Sequence, residues 1–233
     1  AVDFTITTAD GTKTVYTVTV IGNTCNNSSN AGAPAAGTST PPKVCAAEAI
    51  GTTGYSLVFK GCDANNNATY YDKTECVRDN ATGLIWQGQT PAGTGLRAND
   101  QYKSNLDSTT GQQIWNFDWP ATYHAPTQAE VDAITNSIGF KNAVNASNLC
   151  GSAAWRLPTK DELLGIVKTS EYPMIDNAWF PNTVDGYYWT SSPYKSHAHH
   201  ASAVYFNNGY AYGVSGRDFL HSSSFNLLVR LVR

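Results

Sequence analysis

The stretch NLCGSAAWRLPTKDEL, residues 148–163, contains the clearest local signals in the chain. Pro158 precedes Thr159, and Glu162 follows three residues later, which is the pattern of a capping box at the start of a helix. The next apolar residues recur at helical spacing and are expected to face a core: Leu163, Ile166 and Val167. The stretch therefore predicts a helix that begins after Thr159.

A second capping box lies upstream, where Glu130 follows Thr127 at the same spacing. The apolar face that follows is expected to be interrupted at Gly139 and to comprise Val131, Ile134, Ile138, Phe140 and Val144. Short strand-like runs and long polar loops make up most of the remaining chain. Two helices among many short strands predict an α+β fold.

Large aromatic side chains are expected to hold together a fold with so little regular structure. Four tryptophans suit this role because each combines a large apolar body with one N–H donor: Trp86, Trp155, Trp179 and Trp189. Arg156 lies between Trp155 and Leu157. We expect it to bind a carboxylate or a carbonyl as a structural group and not to act in catalysis.

The N-terminal residues form two β-branched runs, DFTIT and TVYTVTV, on either side of Asp10-Gly11. An Asp-Gly turn between such runs predicts a β-hairpin. The sequence of this hairpin resembles that of the closing hairpin of the Ig-like or cadherin-like repeats of bacterial surface proteins. Residues 23–43 have the Asn, Ser, Gly, Ala and Pro composition of a linker. We therefore expect a closing hairpin in 1–22, a flexible linker in 23–43 and one ligand-binding domain in 44–233.

The chain has five cysteines and no C-x-x-C pair, which disfavours a zinc or redox motif. Their polar, Asn-rich context favours one or two disulfides. Cys25 lies in the linker, where Cys45 and Cys62 are its candidate partners. The odd count also leaves a thiol for a bridge between molecules.

The composition limits the classes of partner. Hydrophobic residues make up 41% of the chain and charged residues only 14%, a balance more usual in secreted or surface proteins than in cytosolic enzymes. A net charge of -3 argues against nucleic acid and against sulfated glycans. The sequence contains no apolar run approaching the ~20 residues of a membrane helix. Since the chain begins inside a strand-like run, we expect a mature or truncated chain without its export signal.

Five motifs occur in the order that they take in one bacterial family. They are CVRDNATGLIWQ (76–87), NLCGSAAWRLPTKDEL (148–163), FPNT (180–183), YYWTSSPY (187–194) and the final VRLVR. Together they resemble the C-type-lectin-like family found at the C terminus of collagen-like adhesins. The resemblance implies a C-type lectin fold with paired N- and C-terminal strands, two helices and a loop-rich face. It also implies a disulfide between Cys76 and Cys150.

Four of the five histidines lie in YKSHAHHASAVYFNNGYAYGVSGRDFLHSSSF, residues 194–225. His197 and His199 would share one face of an extended segment while His200 points away, which makes a poor preset zinc site. Asp218 is the only acidic residue after Asp185, so few carboxylates are available to orient a catalytic histidine, which disfavours a catalytic site. The formylglycine-generating enzymes share the general fold but use cysteines near the C terminus, and here none follows Cys150.

Residues 196–225 also lack Lys, Glu, Gln, Trp and Met. These five types make up 27 of the 233 residues, so about three or four would be expected in the segment by composition. Every residue type present can be reached from an AAC codon by changing its adenines, whereas the missing types cannot. This pattern is typical of adenine-directed mutagenesis, and the stretch resembles the variable region of a protein diversified by a retroelement.

The sequence therefore predicts a non-enzymatic binding protein that displays a diversified surface outside the cell, on a cell surface or on a virion. Tyr and His offer large amphipathic contacts and Ser adapts, as in antibody loops. The residues expected to be exposed for ligand binding are His197, His199, His200, Ser202, Tyr205, Tyr210, Tyr212, Val214, Asp218, Leu220 and His221. Phe206, Phe219 and Phe225 are expected in the core.

We expect a protein ligand, since diversification suits changing macromolecular targets. Two alternatives remain open: an undiversified adhesin that binds glycans, and a metal-dependent or sulfatase-maturase-like enzyme. No cofactor and no membrane insertion of this segment are predicted. A structural calcium ion held by loop oxygens is compatible with the fold.

Overall fold

The computed structural model describes residues 2–7, 13–18, 45–116, 118–194, 199–215 and 227–233. The chain divides into two compact units, Ala1–Pro42 and Lys43–Arg233. In the first unit, β1 (Val2–Thr7) pairs with β2 (Lys13–Val18) in antiparallel register from Val2↔Val18 to Thr7↔Lys13. The predicted strand pair is present, while the Asp10-Gly11 turn lies outside the described residues. The relation to an Ig-like repeat stays a prediction.

The described part of the second unit contains short strands and three α-helices. The strands are β3 (Tyr55–Leu57), β4 (Phe59–Cys62), β5 (Ala68–Tyr70), β6 (Cys76–Asp79), β7 (Ile85–Gln87), β8 (Ile114–Trp115), β9 (Tyr123–His124), β10 (Tyr187–Pro193), β11 (His200–Tyr205), β12 (Tyr210–Ser215) and β13 (Leu227–Leu228). The helices are α1 (Gln128–Asp132), α2 (Ser137–Ala146) and α3 (Lys160–Gly165). This mixture is consistent with the predicted C-type-lectin-like α+β fold.

Two sheets organise the unit. The larger has the strand order β12-β11-β10-β13, and the smaller has the order β3-β6-β7. The C-terminal residues close onto the smaller sheet, because Ile85 N–H donates to the Arg233 carbonyl at 2.8 Å and Arg156 N–H donates to the Val232 carbonyl at 2.9 Å. The end of the chain therefore pairs with β7, in the N-terminal part of the ligand-binding domain, and with Arg156.

Both predicted capping boxes are confirmed. Thr127 caps α1 with Glu130, and Thr159 caps α3 with Glu162. Leu163 of α3 is buried, and of the two residues that follow the helix Ile166 is buried and Val167 half-buried, as the spacing predicts.

The predicted break at Gly139 is wrong. The first helix ends at Asp132, the next residue, Ala133, has an extended backbone, and α2 runs through Gly139. A Cβ at Gly139 would lie 2.2 Å from the Ala133 carbonyl oxygen, so glycine is needed for close packing of the two helices. Ile134 falls in the break and is 48% exposed instead of facing the core.

Asn136 supplies the hydrogen bonds that the break removes from the helix. Its side chain is fully buried and donates to the carbonyls of Val131 at 2.7 Å and Leu106 at 3.0 Å. It also accepts from the Leu106 N–H at 2.8 Å. Buried backbone groups at a helix end need such partners, so Asn136 makes the break compatible with a buried position.

The core lies on both faces of the larger sheet. Strand alternation puts Trp189 and Ala203 on one face and Tyr188 and Val204 on the other, and the two pairs belong to separate buried clusters. Trp86, Trp155 and Trp189 are buried as expected, while Trp179 is half-buried.

Two disulfides join the described part of the second unit. Cys76–Cys150 is present, as the family resemblance implies, and Cys45–Cys62 closes a shorter loop. Since Cys45 and Cys62 bond to each other, neither is available to Cys25. Both candidate pairings of Cys25 are therefore wrong.

Arg156 and Arg230 have different structural roles. Arg156 forms two hydrogen bonds to the Glu162 carboxylate, at 2.6 and 2.8 Å, at the surface. Arg230 is fully buried and donates to the Gln87 carbonyl at 2.8 Å, and to Gln89 Oε1 and Thr183 Oγ1 at 2.7 Å. The expectation that Arg156 binds a carboxylate as a structural group agrees with this geometry.

Candidate binding surface

The predicted surface residues that the structure describes belong mainly to β11 and β12. These strands pair in antiparallel register from His200↔Ser215 to Tyr205↔Tyr210. β12 is the last strand in the order of the larger sheet. β12 is therefore an edge strand, and no further described strand lies beside its outer edge.

The predicted exposure holds for part of this set. Tyr210 is 67% and Tyr212 39% exposed, whereas His199, His200 and Tyr205 are half-buried. Phe206 is fully buried, as predicted. Several predicted residues lie outside the described residues: His197, Asp218, Leu220, His221, Phe219 and Phe225.

The predicted exposure is wrong for Ser202 and Val214, which are only 5% and 6% exposed. Val214 pairs with Ala201 and belongs to the buried cluster that contains Trp189. Ser202 lies at the centre of the sheet, where its hydroxyl faces the Pro193 carbonyl at 3.4 Å and its own carbonyl accepts from Thr190 Oγ1 at 2.9 Å. Both side chains are thus enclosed by neighbouring strands.

Tyrosine rings form a contiguous cluster at the turn end of these strands. Tyr187 and Tyr205 stack with ring centroids 4.1 Å apart and planes 5° from parallel. Tyr212 meets Tyr187 edge-on at 5.7 Å and Tyr205 at 6.4 Å. Asn208 Nδ2 donates to the Tyr212 hydroxyl at 2.8 Å and fixes the ring from the turn. The cluster is therefore a packed aromatic surface and not a set of independent side chains.

Asp185 and Tyr172 border this cluster and were missed from the sequence. The Tyr172 hydroxyl donates to Asp185 Oδ2, and Asn207 Nδ2 donates to the same oxygen at 2.9 Å. The hydrogen bond to Asp185 raises the pKa of Tyr172, while burial and then Asp185 raise that of Tyr205. Residues 172, 185 and 207 are far apart in sequence, so no local spacing could have grouped them.

His199 and His200 make aromatic contacts. His199 stacks on Tyr123 of β9, with centroids 4.0 Å apart and planes 11° from parallel, and meets His200 edge-on at 4.6 Å. The stack links the β8–β9 hairpin, whose tip carries the 93% exposed Trp119, to the start of β11. Among the described residues, no three His, Cys, Asp or Glu side chains are grouped as metal ligands. With His197 and His221 undescribed, the prediction of no metal stays a prediction.

A polar groove of about 490 Å³ lies beside the cluster, lined by Lys160, Asp161, Ser192, Pro193, Tyr194, Ser202, Ala211 and Tyr212. Its wall depends on Gly213, because a Cβ there would lie 2.3 Å from ring atoms of Tyr194. The Tyr194 ring therefore packs directly on the β12 backbone.

A second groove, of about 540 Å³, is more apolar and includes Ile50, Tyr55, Phe59 and Trp179 in its lining. It contains none of the predicted binding residues. The candidate site is therefore the β11–β12 end of the larger sheet, with its tyrosine cluster, polar groove and neighbouring hairpin.

A comparison with known protein families identifies the family of residues 75–233. Residues 75–233 match the Lcl C-terminal domain family. The chain belongs to the Lcl C-terminal domain family. The match begins next to Cys76, spans α1 to α3 and includes all of the candidate site, which supports a lectin-like binding domain. Searches of curated proteins and of solved structures gave no significant match.

The two disulfides fit an extracellular or secreted protein, because such bonds persist in oxidising environments. Among the described residues, none of the helices has the length and apolar character needed to cross a lipid bilayer.

Proposed function

We propose that this Lcl C-terminal domain is a non-enzymatic ligand-binding protein of the cell or virion surface, whose residues near 196–225 are diversified by a retroelement. The ligand is a protein, and it contacts the β11–β12 end of the larger sheet. The predicted binding residues His197, Asp218, Leu220 and His221 belong to the same proposal and lie outside the described residues.

One observation carries the proposal. The segment that lacks Lys, Glu, Gln, Trp and Met supplies the exposed Tyr210 and Tyr212, while the opposite face of the same sheet is closed by the buried Tyr188 and Val204. A variable surface needs this separation, since substitutions at exposed positions usually change stability by only about 0.5 kcal/mol or less. Rigid tyrosines on a packed base are also effective binding anchors.

The nucleotide sequence tests diversification directly. We expect a near-copy of the codons for residues 196–225 beside the gene, with adenines at the positions that vary, and a reverse transcriptase gene nearby. Sister copies should differ at Tyr210 and Tyr212 and agree at Phe206 and in residues 227–233. If no template copy exists, or if differences among sister copies fall equally on residues 148–163, the diversification proposal is wrong.

Binding is tested separately with a display library of the full chain in which the codons of 199, 200, 205, 210 and 212 are randomised. Selection against a panel of unrelated purified proteins should yield folded, specific binders. A matched library at five exposed helix residues, Gln128, Ala129 and Asp132 of α1 with Asn142 and Ala146 of α2, should yield none. Equal success of the two libraries would contradict a dedicated surface, and binding to a glycan array alone would favour the adhesin alternative.

A further inference from the structure

We infer that the tyrosine cluster beside Asp185 receives an arginine side chain of the protein ligand. This deepens the proposed function and rests on it. From here on, the tyrosine cluster means the packed rings of Tyr187, Tyr205 and Tyr212 together with their neighbours Tyr172 and Tyr210.

The first argument is the shape and exposure of the rings. Tyr172 and Tyr210 are 65% and 67% exposed, and Tyr212 is 39% exposed, around the half-buried stack of Tyr187 on Tyr205. Ring faces attract cations through their quadrupole, and a planar guanidinium also stacks on them. A cluster that offers several rings in different orientations suits a flat cation better than it suits an aliphatic side chain.

The second argument is charge. Residues 167–177, 184–187 and 205–212, which carry the cluster, contain Glu171, Asp176 and Asp185 against a single cation, Lys168. Lys160, which lines the groove next to Tyr212, lies 3.5 Å from Asp161. Lys168 is already engaged, because its Nζ lies 2.5 Å from Glu171 and 2.9 Å from Asp176. Among the described residues, no Lys or Arg forms an ion pair with Asp185. The negative charge beside the tyrosines is therefore not neutralised within the described surface.

The third argument is the state of the Asp185 carboxylate. Oδ2 accepts from Tyr172 and Asn207, while Oδ1 is inaccessible and has no hydrogen-bond partner among the described residues. A carboxylate with one oxygen left unsatisfied is costly unless a donor reaches it. A guanidinium carries five N–H donors, so its approach to Asp185, with a shift of the side chains that enclose Oδ1, would supply the missing donor.

The tyrosines themselves do not compete as anions. Hydrogen bonding to Asp185 raises the pKa of Tyr172, and burial raises the pKa of Tyr187 and Tyr205. All three phenols therefore stay neutral at physiological pH, and the charge that attracts a cation comes from Asp185.

The test uses the full chain with ring-labelled tyrosine and follows tyrosine NMR signals during titration with defined peptides. The probe is Ac-Gly-Arg-Gly-NH₂, and its neutral isostere, with citrulline in place of arginine, is the matched control. We expect the arginine peptide to shift the signals of Tyr172, Tyr205 and Tyr210 with millimolar affinity, and the citrulline peptide to bind at least about tenfold more weakly. Added salt should weaken the arginine complex.

Two variants locate the effect. Asp185→Asn keeps an oxygen that accepts from Tyr172 but removes the charge, and it should weaken arginine-peptide binding by about threefold to tenfold. Asp132→Asn removes a carboxylate from α1 and should change nothing. Unchanged circular dichroism and melting temperature show that both variants fold.

Equal shifts with citrulline, or an unchanged affinity in Asp185→Asn, would overturn the inference. So would equal binding of tetramethylammonium or spermidine, because the site would then take any cation. If the template copy is found but the arginine peptide does not bind, only this inference fails. If the arginine peptide binds and no template copy exists, the inference stands and diversification fails.

Discussion

Replacement of Arg230 by methionine is expected to destabilise the second unit by about 3 kcal/mol. The guanidinium is fully buried and makes hydrogen bonds at 2.7 to 2.8 Å to three acceptors on Gln87, Gln89 and Thr183. Leaving a buried acceptor without its donor costs about 1–3 kcal/mol, and here three acceptors lose the guanidinium. Part of this is recovered, since Tyr188 still donates to Gln89 at 3.1 Å and a buried charge is removed.

The assay is equilibrium urea unfolding with the disulfides intact, followed by tryptophan fluorescence. All six tryptophans lie in the second unit, so the signal reports that unit. Arg156→Met is the matched control. Its ion pair with Glu162 is 46% exposed on the arginine side and should contribute no more than about 1 kcal/mol. If Arg230→Met is as stable as Arg156→Met, the three buried hydrogen bonds do not compensate for burying the charge, and the reasoning is wrong.

Three further outcomes follow from the same geometry. Replacing both cysteines of Cys76–Cys150 by alanine should lower the free energy of unfolding by roughly 4 kcal/mol, and the same change at Cys45–Cys62 by roughly 3 kcal/mol, since the loops span 74 and 17 residues. Urea unfolding measures both losses, and the reverse order would contradict the loop-entropy explanation. Arg156 lowers the pKa of Glu162 to about 2, so this pair stabilises the fold above the ordinary pKa of 4.5 and its contribution is lost as the pH falls toward 2. The stability gap between the wild type and Glu162→Gln, about 1 kcal/mol at pH 6 after screening, should close by pH 2, and a constant gap would refute the assignment. Val214→Asn should lower the free energy of unfolding by more than about 2 kcal/mol, because Val214 is buried, while Tyr210→Asn should change it by less than about 0.5 kcal/mol, because Tyr210 is exposed. Equal melting temperatures for the two variants would show that burial does not separate structural from binding positions in β12.

Local signals in the sequence predicted the parts of the fold that local chemistry determines. The capping boxes at Thr127 and Thr159 are of this kind, because the hydroxyl and carboxylate that satisfy the helix end lie three residues apart. The error at Gly139 shows the limit. A glycine in a helical pattern indicates a break by propensity, but here it permits close packing against Ala133, and the break is compensated by Asn136.

The candidate site was predictable only in part for a similar reason. Residue types near 196–225 indicated a recognition surface, and alternation placed Tyr210 and Tyr212 together. Alternation alone could not show that Val214, on the same face, meets Ala201 and the core, because that depends on which strand lies beside it. Asp185, Tyr172 and Asn207 come from three separate loops, and only the fold brings them into contact.

Contact between Gly213 and the Tyr194 ring has a consequence for how the surface could evolve. Any side chain at position 213 must displace an aromatic ring that also forms a wall of the polar groove. A single substitution at position 213 would change the shape of the groove, whereas a substitution at Tyr210 would replace one exposed side chain by another. Selection acting on this chain would thus have two kinds of step available: small changes of chemistry at exposed tyrosines, and a rarer change of shape triggered from one glycine.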